Sequence, residues 1–444
     1  MATFNKLHKD SKDSVASELD LFATPLTKTS VLESDILEVK PITAAIDNQI
    51  EFEIDASNEH YLDIENTFIH VQGKVLKKDG SNLAAGESPV IPANNMLHTM
   101  FSSVSVQING KVLEEENNYS HRAFLEDLLN VGRSAKKTHH RTNGWYDDSG
   151  TGMHHTGDLT APIKAHLLLK AGFLKESKMF ELIGKLRTGI TQQERYLPPG
   201  CTIRIKLQRS SPEFVLQKLS ADDGDEYQIR LTSIQLLCEV KKPNPAVQIA
   251  QMKLLAQGNK AKFPYTRVQT RFFTLAPGIQ DKELTILQNG QEPKRVFLAM
   301  IDHVAKNGSY GHNPFKFAHN GVQTVRFNVG GHYKPATPSH MDFETGLHMR
   351  PFHTLQLTCG KADMNDDNGI TPEDFVNGKT IFCLDNTPDR CNGKEVHLFR
   401  RLTTSVYLAF KRALTTTVSV FVYLEFDEIA EIDNSRVLTF ATGS

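Results

Sequence analysis

The sequence is constrained most by a pattern of strand, tight turn, strand and helix that occurs once in each half of the chain. In the first half, residues 101–115 read FSSVSVQINGKVLEE, and apolar residues alternate with polar ones up to the pair Asn109 and Gly110. Asn-Gly between alternating segments is a strong signal for a two-residue β-hairpin turn. The sequence therefore predicts a hairpin in which Val112 resumes the apolar register after the turn.

A short amphipathic helix is predicted immediately after this hairpin. The segment NNYSHRAFLEDLLNVG changes the spacing of its apolar residues from two to three or four. This spacing predicts a helix over residues 119–131, with Ser120 as the N-cap and Gly132 as the stop. The residues that share its apolar face are Phe124, Leu125, Leu128 and Leu129.

The same pattern is found in the second half of the chain. The segment VQTVRFNVGGHYKP alternates before a Gly-Gly turn, and helical spacing follows over residues 342–356. The turn residues Gly110 and Gly331 are 221 positions apart, and Leu347, the predicted counterpart of Leu125, is 222 positions beyond it. Matching offsets favour a duplicated domain over a single irregular one.

Two later strands repeat with a second, smaller offset. Leu182 and Leu384 are 202 positions apart, and Ile205 and Leu408 are 203 positions apart. A first loop that is about 20 residues longer than the second accounts for the change. Four elements in one order predict an all-β protein with two consecutive jelly-roll β-sandwich domains and short inserted helices.

The length of 444 residues suits two domains of roughly 200 residues each. The strand pattern is interrupted between Lys241 and Lys262, where KKPNP ends a strand and VQIAQMKLLAQ has helical character. The predicted division is an N-terminal arm over residues 1–29, a first jelly roll over 30–245, a linker over 246–262 and a second jelly roll over 263–444.

Composition and charge exclude several classes of protein. Hydrophobic residues make up 39% of the chain, and no apolar run approaches the roughly 18 to 20 residues of a membrane span, so no transmembrane segment is expected. The polar start MATFNKLHKDSKDS differs from a signal peptide, and no secretory route is expected. The formal net charge of −2 gives no basic footprint, so specific nucleic-acid binding is not predicted.

The five cysteines predict free thiols rather than disulfides. Their number is odd, they are widely separated, and no CxxC pair occurs. We expect all of them to stay reduced: Cys201, Cys238, Cys359, Cys383 and Cys391. The first, second and fourth of these lie in alternating segments and are expected in the core, where a thiol behaves as a small hydrophobic group.

Residues 363–374, DMNDDNGITPED, are the best candidate for a metal site. Asp363, Asn365 and Asp367 stand at positions 1, 3 and 5 of an EF-hand-like loop, and Asp374 stands at position 12. The glycine of that motif is displaced by one position, and flanking helices are not predicted. A solvated loop without calcium is therefore favoured, and no metal is expected to be required for folding.

Two other clusters have a functional and an ordinary interpretation. Histidines on a loop could bind zinc, but their spacing differs from that of known zinc sites, so a polar loop is favoured; they are His139, His140, His154 and His155. A small basic cluster could contact phosphate, but solvated surface charge is favoured; it consists of Lys136, Lys137 and Arg141. Because no catalytic or phosphate-loop motif occurs, no catalytic residue, cofactor or enzymatic activity is predicted.

Six segments resemble the major capsid protein of Polinton (Maverick) elements and the related adintoviruses, in the order in which that family has them. They are ELDLFATPLTKTSV at 18–31, the hairpin and helix at 101–129, RIKLQRSSPEFVL at 204–216, DFETGLHMRPFHTL at 342–355, NGITPEDFVNGKTIFCLDNTPD at 368–389 and RALTTTVSVFVYLEFDEIAEID at 412–433. The resemblance rests on the number and order of these segments, since none of them is a chemical motif.

The resemblance implies a double jelly roll that forms a homotrimer, in which six similar lobes make a pseudo-hexamer. Such capsomers tile an icosahedral virion capsid, with a penton or minor capsid protein as a partner, and they assemble inside the host cell, in the cytoplasm or nucleus. A lectin-like, carbohydrate-binding β-sandwich is the main alternative, but Trp145 is the only tryptophan. A glycoside hydrolase would need two carboxylates across one cleft, and a minor capsid protein with one jelly roll would be about half this length.

The N-terminal arm and two long loops are predicted contact surfaces. Residues 1–17 are polar, whereas Leu19, Leu21 and Phe22 have no obvious partner in either barrel. The arm is therefore expected to become ordered on assembly. The loops after the two helices are also expected to carry contacts between copies, over residues 133–179 and 358–379.

Overall fold

The computed structural model describes residues 8–43, 48–55, 59–85, 89–146, 148, 165–219, 224–388, 390 and 395–441. β-Strands dominate these residues, and they form two groups of sheets that follow one another along the chain. We refer to the two groups as the first barrel and the second barrel.

The first barrel contains β1 (Val31–Val39), β2 (Gln49–Asp55), β3 (Tyr61–Lys77), β4 (Val90–Pro92), β5 (Phe101–Ile108), β6 (Lys111–Glu116), β7 (Phe180–Lys185), β8 (Thr202–Arg209), β9 (Leu216–Lys218) and β10 (Tyr227–Pro243). Two antiparallel sheets have the orders β1-β10-β3-β7 and β2-β8-β5-β6, and β4 pairs with β9. Apolar residues of both large sheets pack in one core.

The second barrel contains β11 (Ala261–Leu275), β12 (Asp281–Gln291), β13 (Arg295–Asp302), β14 (Val322–Val329), β15 (His332–Lys334), β16 (Ile381–Asp385), β17 (Arg401–Phe410), β18 (Val418–Ile432) and β19 (Leu438–Phe440). Its sheets have the orders β11-β18-β13-β16 and β12-β17-β14-β15, and β19 pairs with β18. The eight strands of the two large sheets in one barrel therefore match those of the other one for one, which confirms the prediction of two consecutive jelly rolls. The β4-β9 pair and β19 have no counterpart among the described strands.

The helices lie in the connections between strands. They are α1 (Met96–Thr99), α2 (Tyr119–Asn130), α3 (Arg133–Lys137), α4 (Ala165–Leu174), α5 (Pro212–Val215), α6 (Pro245–Ala256), α7 (His303–Asn307), α8 (Met349–Thr358) and α9 (Pro372–Val376). Helix α6 connects the barrels. Helices α2 and α8 occupy the same place in each barrel, between the hairpin and the next strand of the adjoining sheet.

Both predicted hairpins are confirmed. The turn residues Asn109 and Gly110 have φ of 50° and 77°, the left-handed values that a two-residue turn of this kind requires. Val112, however, does not resume the apolar register. The β6 strand has an extra residue opposite the step from Val106 to Gln107, so Leu113 is buried and Val112 is exposed.

The first predicted helix is confirmed as α2, but its N-cap is Asn118 and the predicted N-cap, Ser120, lies in its first turn. The second helix begins later than predicted. Residues 342–347 form a turn in which Gly346 has φ of 85° and the N–H of Leu347 donates to the carbonyl of Asp342. Leu347 therefore precedes α8 and is 63% exposed. The true counterpart of Leu125 is Leu355, because each is the seventh residue of its helix and both are buried.

The two later strand matches are confirmed. Leu182 lies in β7 and Leu384 in β16, while Ile205 lies in β8 and Leu408 in β17, at equivalent places in the sheets. The predicted long loops are partly helical instead. Residues 133–179 include α3 and α4, and residues 358–379 include α9, which Thr371 and Asp374 stabilise with a capping box.

Candidate assembly surfaces and the junction between barrels

The two barrels share a junction in which α2 of the first barrel packs into the core of the second. The Phe124 ring stacks on Phe315 with centroids 4.2 Å apart and on Trp145 with centroids 5.3 Å apart. Leu125, along with Leu128 and Leu129, belongs to the same apolar cluster as β13, β17 and β18. The apolar face that the sequence predicted for this helix is therefore covered by the other domain.

A buried charge network adjoins this apolar contact on α2. The Arg122 guanidinium is fully buried, donates to Glu126 Oε1 at 2.8 Å and pairs with Glu114. The hydroxyl of Tyr423 in the second barrel donates to Glu126 Oε1 at 3.1 Å. Burial opposes the charge of Arg122, but the surrounding carboxylates outweigh it and hold the pKa of Arg122 above its ordinary range.

Glu116 joins this network to the first strand of the second barrel. The hydroxyl of Thr270 in β11 donates to Glu116 Oε1 at 2.6 Å, and the side-chain amide of Asn118 donates to Thr270 at 3.0 Å. Burial raises the pKa of Glu116, although Arg122 lowers it. Polar groups buried at a contact cost free energy unless they are paired, so this network favours one arrangement of the barrels.

A second buried cluster surrounds Asp127 on α2. Arg187 forms an ion pair with Asp127 at 2.5 Å, the Asn95 amide donates to it at 2.7 Å, and His140 lies 3.4 Å away. Burial acts to raise the pKa of Asp127, but Arg187 and His140 outweigh it and hold the pKa well below its ordinary range. Burial also lowers the pKa of nearby His98 to about 3.

The candidate metal loop, residues 363–374, is a contact between barrels. The backbone N–H of Arg133 donates to the carbonyl of Asp367 at 3.1 Å, and Lys136 Nζ donates to the carbonyls of Asn368 and Leu128. Lys136 is therefore buried and bound to two backbone carbonyls, so the prediction of a solvated surface charge is wrong for this residue. Its predicted companions Lys137 and Arg141 are exposed.

Two of the candidate ligands in this loop, Asp367 and Asp374, have separate backbone partners. Asp367 accepts from the N–H of Gly369, and Asp374 accepts from the N–H of Thr371 in the capping box of α9. Across the described ranges, no group of three or more His, Cys, Asp or Glu side chains could hold a metal ion. His139 is exposed and His140 lies in the Asp127 cluster, while His154 and His155 fall outside the described residues.

Four cysteines fall in the described residues, and all four are free thiols. Cys201 and Cys238 are buried, and burial raises their pKa values to about 11 and about 12. Cys383 is partly buried, and its thiol donates to the Thr358 hydroxyl at 3.2 Å. Core placement is thus confirmed for two of the three predicted cysteines, whereas Cys383 lies at the core margin; Cys391 falls outside the described residues.

The two sides of the junction each have an equivalent surface on the other barrel, and both equivalents are exposed. In the first barrel, seven of the nine residues of β1 are exposed, including Leu32 and Ile36, whereas its counterpart β11 has only two exposed residues. In the second barrel, α8 buries only Leu355 and Thr358 and exposes Met349 and Leu357. We name these the β1 face and the α8 face.

None of the helices in the described ranges is both long enough and apolar enough to cross a membrane.

The charged residues of the junction were not identified from the sequence, although the apolar face of α2 was. The only local signal was the spacing of Arg122 and Glu126 by four positions in α2, which is common on exposed helices. Their burial depends on Tyr423 and Thr270, which are more than 140 positions away.

Comparison with known proteins shows the double jelly-roll fold. The chain superposes on the cryo-EM structure of the Sputnik virophage with a TM-score of 0.67, 11% identity and coverage of 98% of this chain and 94% of that chain. It superposes on the PBCV-1 virus capsid with a TM-score of 0.59, 10% identity and coverage of 95% and 100%. The mavirus major capsid protein gives 0.53, 12% identity and coverage of 100% and 97%.

Sequence comparison finds a relative of unknown role. An uncharacterized protein of Caenorhabditis elegans is 23% identical over 396 residues, which cover 87% of this chain and 91% of the relative. No family model matches the chain. The fold is therefore the property that these comparisons show.

Proposed function

We propose that the chain is a structural major capsid protein that forms homotrimeric, pseudo-hexameric capsomers of an icosahedral virion. The main support for this proposal is a contact between the two barrels whose two sides each have an exposed equivalent elsewhere in the molecule. Within the chain, β6 and α2 of the first barrel cover β11 of the second. Their counterparts, the α8 face and the β1 face, lie on different barrels and are both exposed.

The exposed counterparts predict a head-to-tail contact between copies. If the α8 face of one chain covers the β1 face of the next, the second barrel repeats toward a neighbour what the first barrel does within the chain. A head-to-tail contact forms a ring when its rotation closes. Three chains with two barrels each give six similar lobes, and apolar residues such as Ile36 and Leu357 supply the interface.

The finer assignments follow from the same proposal. We assign the chain to the type found in Polinton (Maverick) elements and adintoviruses, on the ordered segments described above. Its role is structural rather than enzymatic, and it is located in the virion capsid. Its partners are neighbouring capsomers and a penton or minor capsid protein. We divide the chain as the sequence suggests, into an arm over 1–29, jelly rolls over 30–245 and 263–444, and a linker over 246–262.

Native mass spectrometry and electron microscopy of the purified protein test the proposal. We expect a trimer with six lobes and, under assembly conditions, closed particles. The trimer interface should exceed the roughly 1,600 Å² of a standard interface and be more apolar than a transient one. A chain that remains monomeric at micromolar concentration would refute the proposal.

A further inference from the structure

Helix α6 is an apolar helix that the single chain leaves uncovered. Of its twelve residues only Leu255 is buried, and Ile249, Met252 and Leu254 are exposed. Lys253 is its one charged residue. Isolated helices of this length are marginal in water, and helices that are apolar on most sides are normally buried. The helix therefore requires a partner.

A groove of about 520 Å³ lies between α6 and the barrels. Its apolar wall consists of α6 residues that include Val247, Met252 and Leu254. Among the described residues that line it, five are cations and one, Glu194, is an acid; the cations are Arg195, Lys241, Lys260, Lys262 and Arg436. Lys241 and Lys260 pair with Glu239 and Glu431, respectively.

Arg436 indicates the charge of the missing occupant. Its Nε donates to the carbonyl of Pro199 at 2.8 Å, but its Nη1 is buried and has no hydrogen-bond partner among the described residues. The Nη2 of the same guanidinium has the Met252 sulfur, a weak acceptor, at 3.8 Å, so a carboxylate in the groove is the stronger partner for this cation. The groove therefore suits a segment that combines apolar side chains with acids.

The N-terminal arm has this composition. Residues 8–30 are entirely exposed in the single chain, including Leu21 and Phe22, which is 96% exposed. The acids Glu18 and Asp20 alternate with the apolar residues of the arm. The arm is fixed beside α6, because Asn244 donates to the carbonyls of Thr29 and Ser30. Ser30 is eight positions after Phe22, a reach of roughly 26 Å.

We infer that the α6 groove of one copy binds arm residues 18–26 of a neighbouring copy, with Glu18 and Asp20 facing Arg436 and with Leu21 and Phe22 covering α6. The arm ends beside the groove of its own chain, yet none of its described residues 8–29 lines that groove, so we assign the neighbour as the donor. This inference rests on the proposed self-assembly and identifies which surfaces link the copies.

Cysteine cross-linking between two different chains tests the inference. Leu21→Cys protein is mixed with Met252→Cys protein under assembly conditions and oxidised. We expect a dimer band that reductant removes and that neither variant gives alone. In a variant that carries both substitutions, cross-links found only within single chains would overturn the inference. Protection of α6 by anionic phosphatidylserine vesicles, without any dimer band, would also overturn it.

Charge reversal tests the predicted ion pair. We expect Arg436→Glu to lower the dimer band of the cross-linking pair at least about tenfold, or ~1.4 kcal/mol. Adding Glu18→Lys and Asp20→Lys should restore it, because the charges are exchanged. Arg412→Glu, at an exposed cation of the second barrel, is the matched control and should have no effect. If the protein forms trimers but the cross-linking pair gives no dimer band, this inference alone is refuted. If no trimers form, the capsomer proposal is refuted.

Discussion

Helices α2 and α8 have the same place in the two jelly rolls, but only one of them is covered by protein. α2 is buried along eleven of its twelve residues, whereas α8 buries only Leu355 and Thr358. Tyr119 of α2 packs in the core of its own barrel, whereas the apolar face that includes Leu125 is covered by the second barrel. The comparison teaches that a neighbouring barrel covers the rest of such a helix, and that α8 still lacks this neighbour.

The largest expected effect concerns the buried charge of α2. Replacing Arg122 by Met leaves Glu114 and Glu126 buried without their cation, which should lower the free energy of unfolding by about 3–5 kcal/mol. Arg350→Met on exposed α8 is the matched control and should change it by less than about 0.5 kcal/mol. Equal effects in urea unfolding of the two variants would contradict the asymmetry between the helices.

The exposed residues of α8 should matter only for association. Leu357→Asp should weaken trimer formation by at least about 2 kcal/mol, as loss of an interface anchor does. It should change unfolding of the separate chain by less than about 0.5 kcal/mol. Analytical ultracentrifugation and urea unfolding at low protein concentration measure the two effects. An unchanged trimer would remove α8 from the proposed interface.

Acid should destabilise the α2 side of the molecule through buried neutral histidine. Burial among Phe214, Phe272, Phe315 and Phe421, together with the charge of Lys306, lowers the pKa of His121 to about 3. An unfolded histidine binds a proton below about pH 6.5, so the stability from this group is complete above that pH and is lost as pH falls toward 3.

Between pH 7 and pH 5 this loss should reach about 2 kcal/mol for His121. His121→Phe fits the aromatic surroundings. It should reduce the slope of the unfolding free energy against pH by the equivalent of about one bound proton. The same replacement at His353, exposed on α8, is the control and should leave that dependence unchanged. A slope that His121→Phe does not alter would contradict the assignment.

The smallest effect is expected at the loop that follows α8. Because Asp367 and Asp374 accept from backbone N–H groups, and the carbonyl of Asp367 accepts from the N–H of Arg133 in α3, EDTA should leave the melting temperature unchanged. Reductant should also leave it unchanged, since the described cysteines are free. A marked loss of stability in EDTA would revive the loop as a calcium site.

The fold was predictable from the sequence because strand alternation and Gly turns are local signals. The Asn109-Gly110 turn and the strands around Leu182 and Leu384 fix the repeat without any tertiary information. The start of α8 was predicted wrongly, because the helical spacing continues through a turn that Gly346 and the backbone of Asp342 close. A turn of this kind leaves little trace in the periodicity.

The surfaces were less predictable, because they depend on residues that are distant in sequence. Lys136 reads as a solvated cation until the carbonyl of Asn368, 232 positions away, is placed beside it. The apolar residues of α2 and α8 look alike in sequence, and only the position of the second barrel separates the buried helix from the exposed one.

The insertion of α2 into the second barrel has a consequence for synthesis of the chain. When the ribosome has completed the first barrel, Phe124 and its neighbours still lack the residues of β11 to β18 that cover them. At typical elongation rates the 183 residues after Pro243, up to and including Phe426, take roughly 10–40 s to appear. Throughout that interval the nascent chain exposes the apolar face of α2. A chaperone that binds exposed apolar helices should therefore raise the yield of folded protein.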